Sequence, residues 1–194
     1  MHKASVSVLM FAVFAMPSGS TAQDKPASSG KTFTMSGELL RAYQDTQRNL
    51  REAAEKMPEE HYGFRPTSDV RPFGQIVAHI ALSQFGTCAA LKGEPSPRKD
   101  EKEEASRTKT ETIVLLEASA EYCNPTVNAL TEQTMTELTK VGEKGDNQAA
   151  KGLLPVSLVV HGMETYGALG VYLRLKGVVP PTTARQKEKM KDSQ

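Results

Sequence analysis

Apolar residues recur at steps of three or four positions in four segments of the chain, which is the spacing of one face of an α-helix. The segments run from about Met35 to Met57, Phe73 to Lys92, Lys109 to Leu130 and Leu153 to Lys176. Prolines or glycines stand at or just beyond most of their ends. Because no segment shows a convincing alternation of apolar and polar residues, the pattern predicts an all-α four-helix bundle within residues 34–181.

The two connectors in the second half of the chain differ in character. Glu94–Thr108 is mostly charged and contains two prolines, so we interpret it as an exposed, mobile loop rather than a functional lid. Thr131–Gln148 contains glycines and several threonines and is predicted to be a connector with a short helical turn near Met135–Leu138. Pro125 lies inside the third segment and is expected to kink or divide that helix.

The first residues have the pattern of a secretory signal peptide. Lys3 is followed by the short apolar run Val6–Met16 and then by small residues that lead to a cleavage site after Ala22. The apolar run is too short for a stable membrane span, although an uncleaved N-terminal anchor is the alternative. No other stretch is apolar enough to cross a membrane. We therefore expect a periplasmic or secreted protein.

The length of the chain is that of one domain, and its net charge argues against nucleic acid as a partner. After the signal peptide, residues 23–33 are predicted to be a flexible leader, and the polar, basic residues 182–194 are predicted to be a disordered tail. The formal net charge is +1, which falls to about zero when Lys3 is removed, so the basic surface typical of nucleic-acid binding is missing. An unidentified small molecule is the expected partner, and a homodimer stays open.

The chain contains two cysteines, Cys88 and Cys123. Outside the cytoplasm, paired thiols usually form a disulfide. The predicted second and third helices are neighbours, and both cysteines lie on their inner sides, so a disulfide is favoured. Two buried free thiols are the alternative. A catalytic cysteine is disfavoured because neither has a histidine at helical spacing.

Two histidines lie on inward-facing positions of different predicted helices. His79 is at the edge of the apolar face of the second helix, beside Ser83, and His161 is on the inner stripe of the fourth, one turn before Thr165. Histidines that project from facing helices of a bundle can bind one metal ion. The alternative is that each is an ordinary core histidine whose hydrogen bonds are satisfied. We expect these residues and Glu164 to line one pocket.

The stretches EKMPEEHYGFRPTSDVRPFGQIVAHIALSQF and HGMETYGALGVYLRLKGVVPP resemble the DinB family of DinB/YfiT-like metalloenzymes. The resemblance covers about Met35 to Pro181. It implies a four-helix bundle that holds a divalent metal, often zinc or nickel, with one histidine from the second helix and two, four residues apart, from the fourth. These three positions fall on His79, His161 and Thr165. Threonine departs from the pattern, because its neutral hydroxyl is a poor zinc ligand.

The departure at Thr165 leaves several hypotheses open. Glu164, three residues after His161, is a candidate replacement for the third ligand or a general base. The alternatives are a supporting or surface role for Glu164 beside a weak or unoccupied site, and a site that is completed by another group. We therefore expect an exported DinB-like protein with a degenerate metal site, either a metal-dependent hydrolase or a thiol transferase. The alternative is a non-catalytic periplasmic binding or structural bundle without metal, and whether the protein is an enzyme stays open.

Overall fold

The computed structural model describes residues 33–141, 145 and 147–193. Its helices are α1 (Met35–Lys56), α2 (Phe73–Lys92), α3 (Lys109–Asn128), α4 (Leu153–Leu175) and α5 (Pro181–Lys191). Helices α1 to α4 confirm the predicted all-α bundle, and their ends lie within two residues of the predicted ones. The predicted signal peptide, residues 1–22, and residues 23–32 of the predicted leader lie outside the described residues.

Local sequence signals explain where the helices begin and end. The Thr34 hydroxyl accepts a hydrogen bond from the amide of Gly37 and caps α1. Thr108 and Glu111 form a reciprocal capping box at the start of α3. Gly93 ends α2 with a φ of 74°, a conformation that favours glycine. Pro125 lies near the C-terminal end of α3, where it removes a single helical hydrogen bond, and the helix is not divided there.

The core forms where the apolar faces of α1 to α4 meet. Helix α2 packs against α3 and α4, and α1 packs against α4 and α3. The fully buried large side chains include Tyr43, Leu50, Met57, Phe73, Ile80, Leu169 and Leu173. Helices α1 and α4 approach closely at Gly162, where a Cβ atom would collide with the Thr46 side chain. The packing therefore holds α4, and with it the HGMETYG segment, firmly against the bundle.

Two short antiparallel strands, which the sequence analysis missed, lie between α3 and α4 in the chain. Strand β1 (Leu138–Val141) pairs with β2 (Asn147–Ala150), with Leu138 opposite Ala150. A short 3-10 turn at Thr134–Thr136 precedes β1 and overlaps the helical turn predicted near Met135–Leu138. The strands are only four residues long and half of their residues are polar, so they show no clear alternation in the sequence.

The prediction of a disordered tail over residues 182–194 is wrong, because Pro181–Lys191 form α5. Pro181 occupies the first turn, where its missing amide hydrogen has no cost. The Tyr166 hydroxyl accepts a 3.0 Å hydrogen bond from the amide of Thr182, and the Arg185 guanidinium binds Glu52 on α1. These contacts come from distant parts of the chain, which explains why the polar sequence of the tail did not reveal the helix.

The predicted disulfide between Cys88 and Cys123 is present, with 5.4 Å between the two Cα atoms. Both residues are completely buried, and the bridge joins α2 to α3. Within the described part of the chain, none of the helices combines the length and apolarity needed to cross a membrane.

Replacing both cysteines by serine is expected to lower the free energy of unfolding by about 3 to 4 kcal/mol, because the bridge closes a 35-residue loop in the unfolded chain. Urea unfolding followed by circular dichroism measures the difference. Reductant should shift the midpoint of the wild-type protein and leave that of the variant unchanged. Equal midpoints for the two proteins without reductant would contradict the expectation.

Candidate metal centre

The packing of α2 against α4 brings His79 and His161 together. Their Nε2 atoms are 3.2 Å apart, and the two rings stand nearly perpendicular, at 86°. The side chains are 31% and 34% exposed, so both imidazoles lie at the edge of the core and remain accessible from one side. Two separately packed core histidines would each bond a different partner. Here the Nε2 atoms of His79 and His161 contact each other.

A carboxylate contacts the other ring nitrogen of each histidine. Glu103 hydrogen-bonds Nδ1 of His79, and Glu164 lies 3.3 Å from Nδ1 of His161. An ionised carboxylate only accepts hydrogen bonds, so Nδ1 of each ring donates to its glutamate. The 3.2 Å contact between the Nε2 atoms is a hydrogen bond when one ring carries a second proton on Nε2, and both Nε2 atoms carry a lone pair when both rings are neutral. Carboxylate partners of this kind are typical of metal-binding histidines, where they set the tautomer and the orientation of the ring.

Glu103 is held in place from both sides. Arg71 Nε donates a 2.7 Å hydrogen bond to its second oxygen, and the Tyr172 hydroxyl donates one of 2.8 Å to the Arg71 carbonyl. Burial raises the pKa of Glu103, but the hydrogen bonds from Arg71 and His79 and their charges outweigh it and keep this pKa below its usual value. Burial raises the pKa of Tyr172, so its hydroxyl stays protonated and continues to donate.

Glu103 was missed by the sequence analysis because it lies in the charged loop Glu94–Thr108. The loop folds around Arg107, which is 10% exposed and donates hydrogen bonds to the Glu101 carboxylate and to the Lys102 carbonyl. This local arrangement directs Glu103 toward α2. A glutamate among many charged residues, far from any helix repeat, gives no signal in the sequence that would single it out.

Of the other residues predicted to line the pocket, Glu164 and Thr165 do so and Ser83 does not. Glu164 is 77% exposed and lies at Nδ1 of His161, away from the facing Nε2 atoms. Thr165 is buried and lines the cavity beside the histidines. Ser83 is half-buried and does not belong to the described residues that line this cavity, which corrects its predicted place. The reason is that Ser83 lies one helical turn beyond His79, past the end of the opening.

The histidines open into a cavity of about 620 Å³ between α2, α4 and the charged loop. Its wall combines acidic groups with apolar and aromatic ones. The lining residues beside the histidines are Asp69, Val70, Arg71, Gln75, Ile76, Glu103, Glu104, Glu164, Thr165, Ala168 and Tyr172. The cavity is large enough for a small organic molecule.

The donor geometry fits two ligands of one divalent ion. Two imidazoles bound to one zinc at about 2.0 to 2.1 Å and a tetrahedral angle would have their nitrogens about 3.3 to 3.4 Å apart. The observed Nε2 separation is 3.2 Å. In the described ranges, no three His, Cys, Asp or Glu side chains converge as a metal cluster. Among the described residues, the two histidines are therefore the side chains whose geometry suits a shared ion at this point.

Comparison with known proteins supports this fold. A family model described as the DinB superfamily matches residues 42–154, a range that contains His79 and Glu103 and ends before His161. A DinB-like protein from Bacillus cereus is 10% identical, with a TM-score of 0.63 over 75% of this chain and 95% of that one. A DinB-like protein from Bacillus subtilis is 21% identical, with a TM-score of 0.57 over 72% and 92%.

A conserved protein from Enterococcus faecalis is also similar, at 12% identity and a TM-score of 0.56 over 74% of this chain and 97% of that one. At these identities the likeness shows the fold alone. No curated protein sequence matches the chain.

In the metal-free protein, neutral His79 and His161 are expected to be protonated on Nδ1, because each Nδ1 faces a carboxylate. Long-range ¹H–¹⁵N NMR spectra distinguish this tautomer from the Nε2–H form. Glu103→Ala should move His79 toward Nε2–H, whereas Glu104→Ala, a change at the neighbouring cavity residue, should leave it unaltered. An Nε2–H tautomer of His79 in the wild-type protein would contradict the assignment.

Proposed function

Since the chain belongs to the DinB superfamily, we propose that it is an exported metal-dependent protein that binds a divalent ion, zinc or nickel, through Nε2 of His79 and His161. One observation carries the proposal. The two Nε2 atoms face one another at 3.2 Å while a carboxylate lies at each Nδ1. In the metal-free protein this contact is a hydrogen bond that needs a proton on one Nε2 atom, and a shared cation would replace that proton and form two coordinate bonds.

The proposed activity is hydrolysis or thiol transfer on a small molecule held in the adjacent cavity. A bound divalent ion would supply Lewis acidity, which lowers the pKa of a water or thiol beside it. The chain's own residues orient the site. Glu103, fixed by Arg71, holds the His79 ring, and Ile76, Ala168 and Tyr172 supply the apolar and aromatic part of the cavity wall.

Glu164 is the proposed general base. Its carboxylate is 77% exposed at the cavity edge, and its 3.3 Å contact with His161 is long enough to exchange for a contact with a substrate. In this role it accepts the proton of the attacking water or thiol and later returns it to the leaving group. Because this carboxylate lies at Nδ1 of His161, away from the facing Nε2 atoms, the role as a base requires the exposed side chain to rotate toward the cavity.

Export to the periplasm or the medium is part of the proposal. The pattern of a signal peptide in residues 1–22 supports it, although these residues lie outside the described part of the chain. The buried disulfide between Cys88 and Cys123 is the second support, because such bridges persist in oxidising compartments.

A second candidate function is binding without catalysis, in a bundle that has lost its metal. The buried Thr165 favours it, because this residue stands four positions after His161, where the resemblance implies a third histidine. The cavity and its acidic wall would then serve a small ligand directly.

Elemental analysis of the exported protein, purified without a histidine tag or chelator, tests the metal directly. We expect about one zinc or nickel per chain, and a loss of most of it in His79→Ala because one of two ligands is removed. His61→Ala is the matched control, since His61 lies in the connector after α1 and outside the cavity lining. Metal far below one per chain in all three proteins would favour the second candidate.

The contribution of the fourth helix is measured by metal titration of two further variants. Thr165→His is expected to tighten binding by about tenfold or more, which corresponds to about 1.4 kcal/mol, because it adds a third imidazole one turn from His161. Glu164→Ala is expected to weaken binding by about 10- to 100-fold through loss of the Nδ1 partner. If Thr165→His had no effect while Glu164→Ala abolished binding, Glu164 would be a direct ligand instead.

A further inference from the structure

The Thr165 hydroxyl is a polar group of the cavity wall that has no hydrogen-bond partner. Thr165 is only 5% exposed, and its oxygen forms no hydrogen bond with any residue in the described part of the chain. A buried helical threonine commonly donates to the carbonyl four residues earlier, as Thr46 and Thr112 do at 2.8 Å. Thr165 makes no such bond to His161, so its hydroxyl is free to bind something else.

The free hydroxyl can be reached from the cavity. Thr165 lines the cavity beside the histidines. Among the described residues, the unpartnered side-chain atoms that are sealed from solvent are the amide nitrogens of Gln47 and Gln84, and the Thr165 oxygen is not one of them. A buried hydroxyl without a partner costs free energy until a molecule in the site bonds to it. The Thr165 hydroxyl is therefore a ready contact for a ligand in this cavity.

The exposed part of the cavity wall carries negative charge. Four carboxylates line the cavity against one guanidinium, that of Arg71. Arg71 is already paired with Glu103 at 2.7 Å. The other three carboxylates, those of Asp69, Glu104 and Glu164, belong to exposed residues. In the described part of the chain, no lysine or arginine lies within ion-pair distance of these three, so their charge is available to a cation from outside.

Asp69 and Glu104 are not placed as ligands of the proposed metal ion. Within the described ranges, no three His, Cys, Asp or Glu side chains come together in a way that could hold a metal. The charge of Asp69 and Glu104 is therefore left for a second, different cation. Apolar side chains lie on the same wall, because Val70 is 40% exposed there and Ile76 is half-buried. An organic cation, which has an apolar body, matches this combination better than a bare ion.

We propose that the cavity binds a small organic ammonium compound whose other end carries a hydroxyl or carbonyl group, an assignment that rests on the proposed function for the location of the site. The ammonium group lies at the exposed rim beside Asp69 and Glu104, and the apolar body contacts Val70 and Ile76. The polar end reaches the buried Thr165 hydroxyl next to the histidine pair. The end of the molecule that would react is thus held where the proposed chemistry takes place.

The same wall discriminates against other small molecules. An anion would be repelled by Asp69, Glu104 and Glu164, and a neutral molecule would lose their attraction. A cleft lined by charges of one sign also raises the local concentration of ligands of the opposite sign. Threonine at position 165 adds space, because its side chain is smaller than the histidine that the family resemblance implies. Both features favour an ammonium compound that extends from the rim to Thr165.

Isothermal titration calorimetry with tyramine tests the preference for a cation. The exported protein is freed of metal by chelator and dialysed, and the titration is run at about pH 7, where the amine is protonated. We expect a dissociation constant of about 1 mM or tighter for a ligand of this size. Tyrosol, which has a hydroxyl in place of the ammonium group, should bind about tenfold more weakly, and 4-hydroxyphenylacetate should show no measurable binding.

Charge-neutral variants test the rim. The double variant Asp69→Asn, Glu104→Gln should weaken tyramine binding by about three- to tenfold, because each exposed carboxylate contributes modestly to an ion pair, and should leave tyrosol binding unchanged. Glu59→Gln, Glu60→Gln is the matched control, since it removes the same charge from exposed residues outside the cavity lining. Circular dichroism checks that both variants remain folded.

A cycle of one variant and one ligand change tests the buried end. Thr165→Val removes the hydroxyl and keeps the shape of the side chain. It should weaken tyramine binding by about two- to tenfold, the effect of one lost hydrogen bond. Phenethylamine, which lacks the phenol hydroxyl of tyramine, should bind the wild-type protein and Thr165→Val equally.

The outcomes separate this inference from the proposed metal site. No tyramine binding, equal binding of tyramine and 4-hydroxyphenylacetate, or equal effects of the two double variants would overturn the inference. Metal content is measured on samples never exposed to chelator. One metal per chain without tyramine binding would leave the proposed function standing and refute the ammonium ligand, whereas tyramine binding by a protein that is purified without metal would support the ammonium ligand and refute the metal site.

Discussion

The candidate site depends on the contact between two imidazole rings on separate helices. His79 and His161 are 82 residues apart in the chain, yet their Nε2 atoms lie within 3.2 Å. This separation requires α2 and α4 to pack closely. It also requires each ring to be held in one orientation, because a histidine without a partner at Nδ1 would take either tautomer. The glutamates at both Nδ1 atoms meet the second requirement, and the core around Ile80 and Leu169 meets the first.

The charged loop between α2 and α3 is restrained by the disulfide that stabilises the fold, and it also supplies a residue of the candidate site. Cys88 and Cys123 bracket this loop, so their disulfide restricts the same stretch of chain that supplies Glu103. Arg107 fixes the loop internally, and Arg71 anchors Glu103 from the start of α2. A segment whose composition favours a solvated loop thus becomes one wall of the cavity, because a few charge-assisted hydrogen bonds hold it there.

Threonine stands at position 165, where the family resemblance implies a histidine. This difference changes which side chains the candidate site offers, but the site stays between α2 and α4. A buried threonine keeps α4 packed and leaves the cavity wall neutral at that point, whereas the acidic groups gather on the loop and at Glu164. As ligands of the proposed ion, two histidines with open coordination positions would suit a catalytic site better than a structural site, which is normally closed by four protein ligands.

The sequence by itself determined the four main helices, the bundle, the disulfide and the two histidines, because helical periodicity, capping residues and cysteine chemistry are local or compositional signals. Tertiary structure decided the rest. Glu103 and Arg71 meet at His79 only because the loop folds back onto α2, Ser83 lies outside the cavity, and α5 forms because Tyr166 and Arg185 bind it to the bundle. Such contacts join residues far apart in the chain, and no spacing rule in a single sequence encodes them.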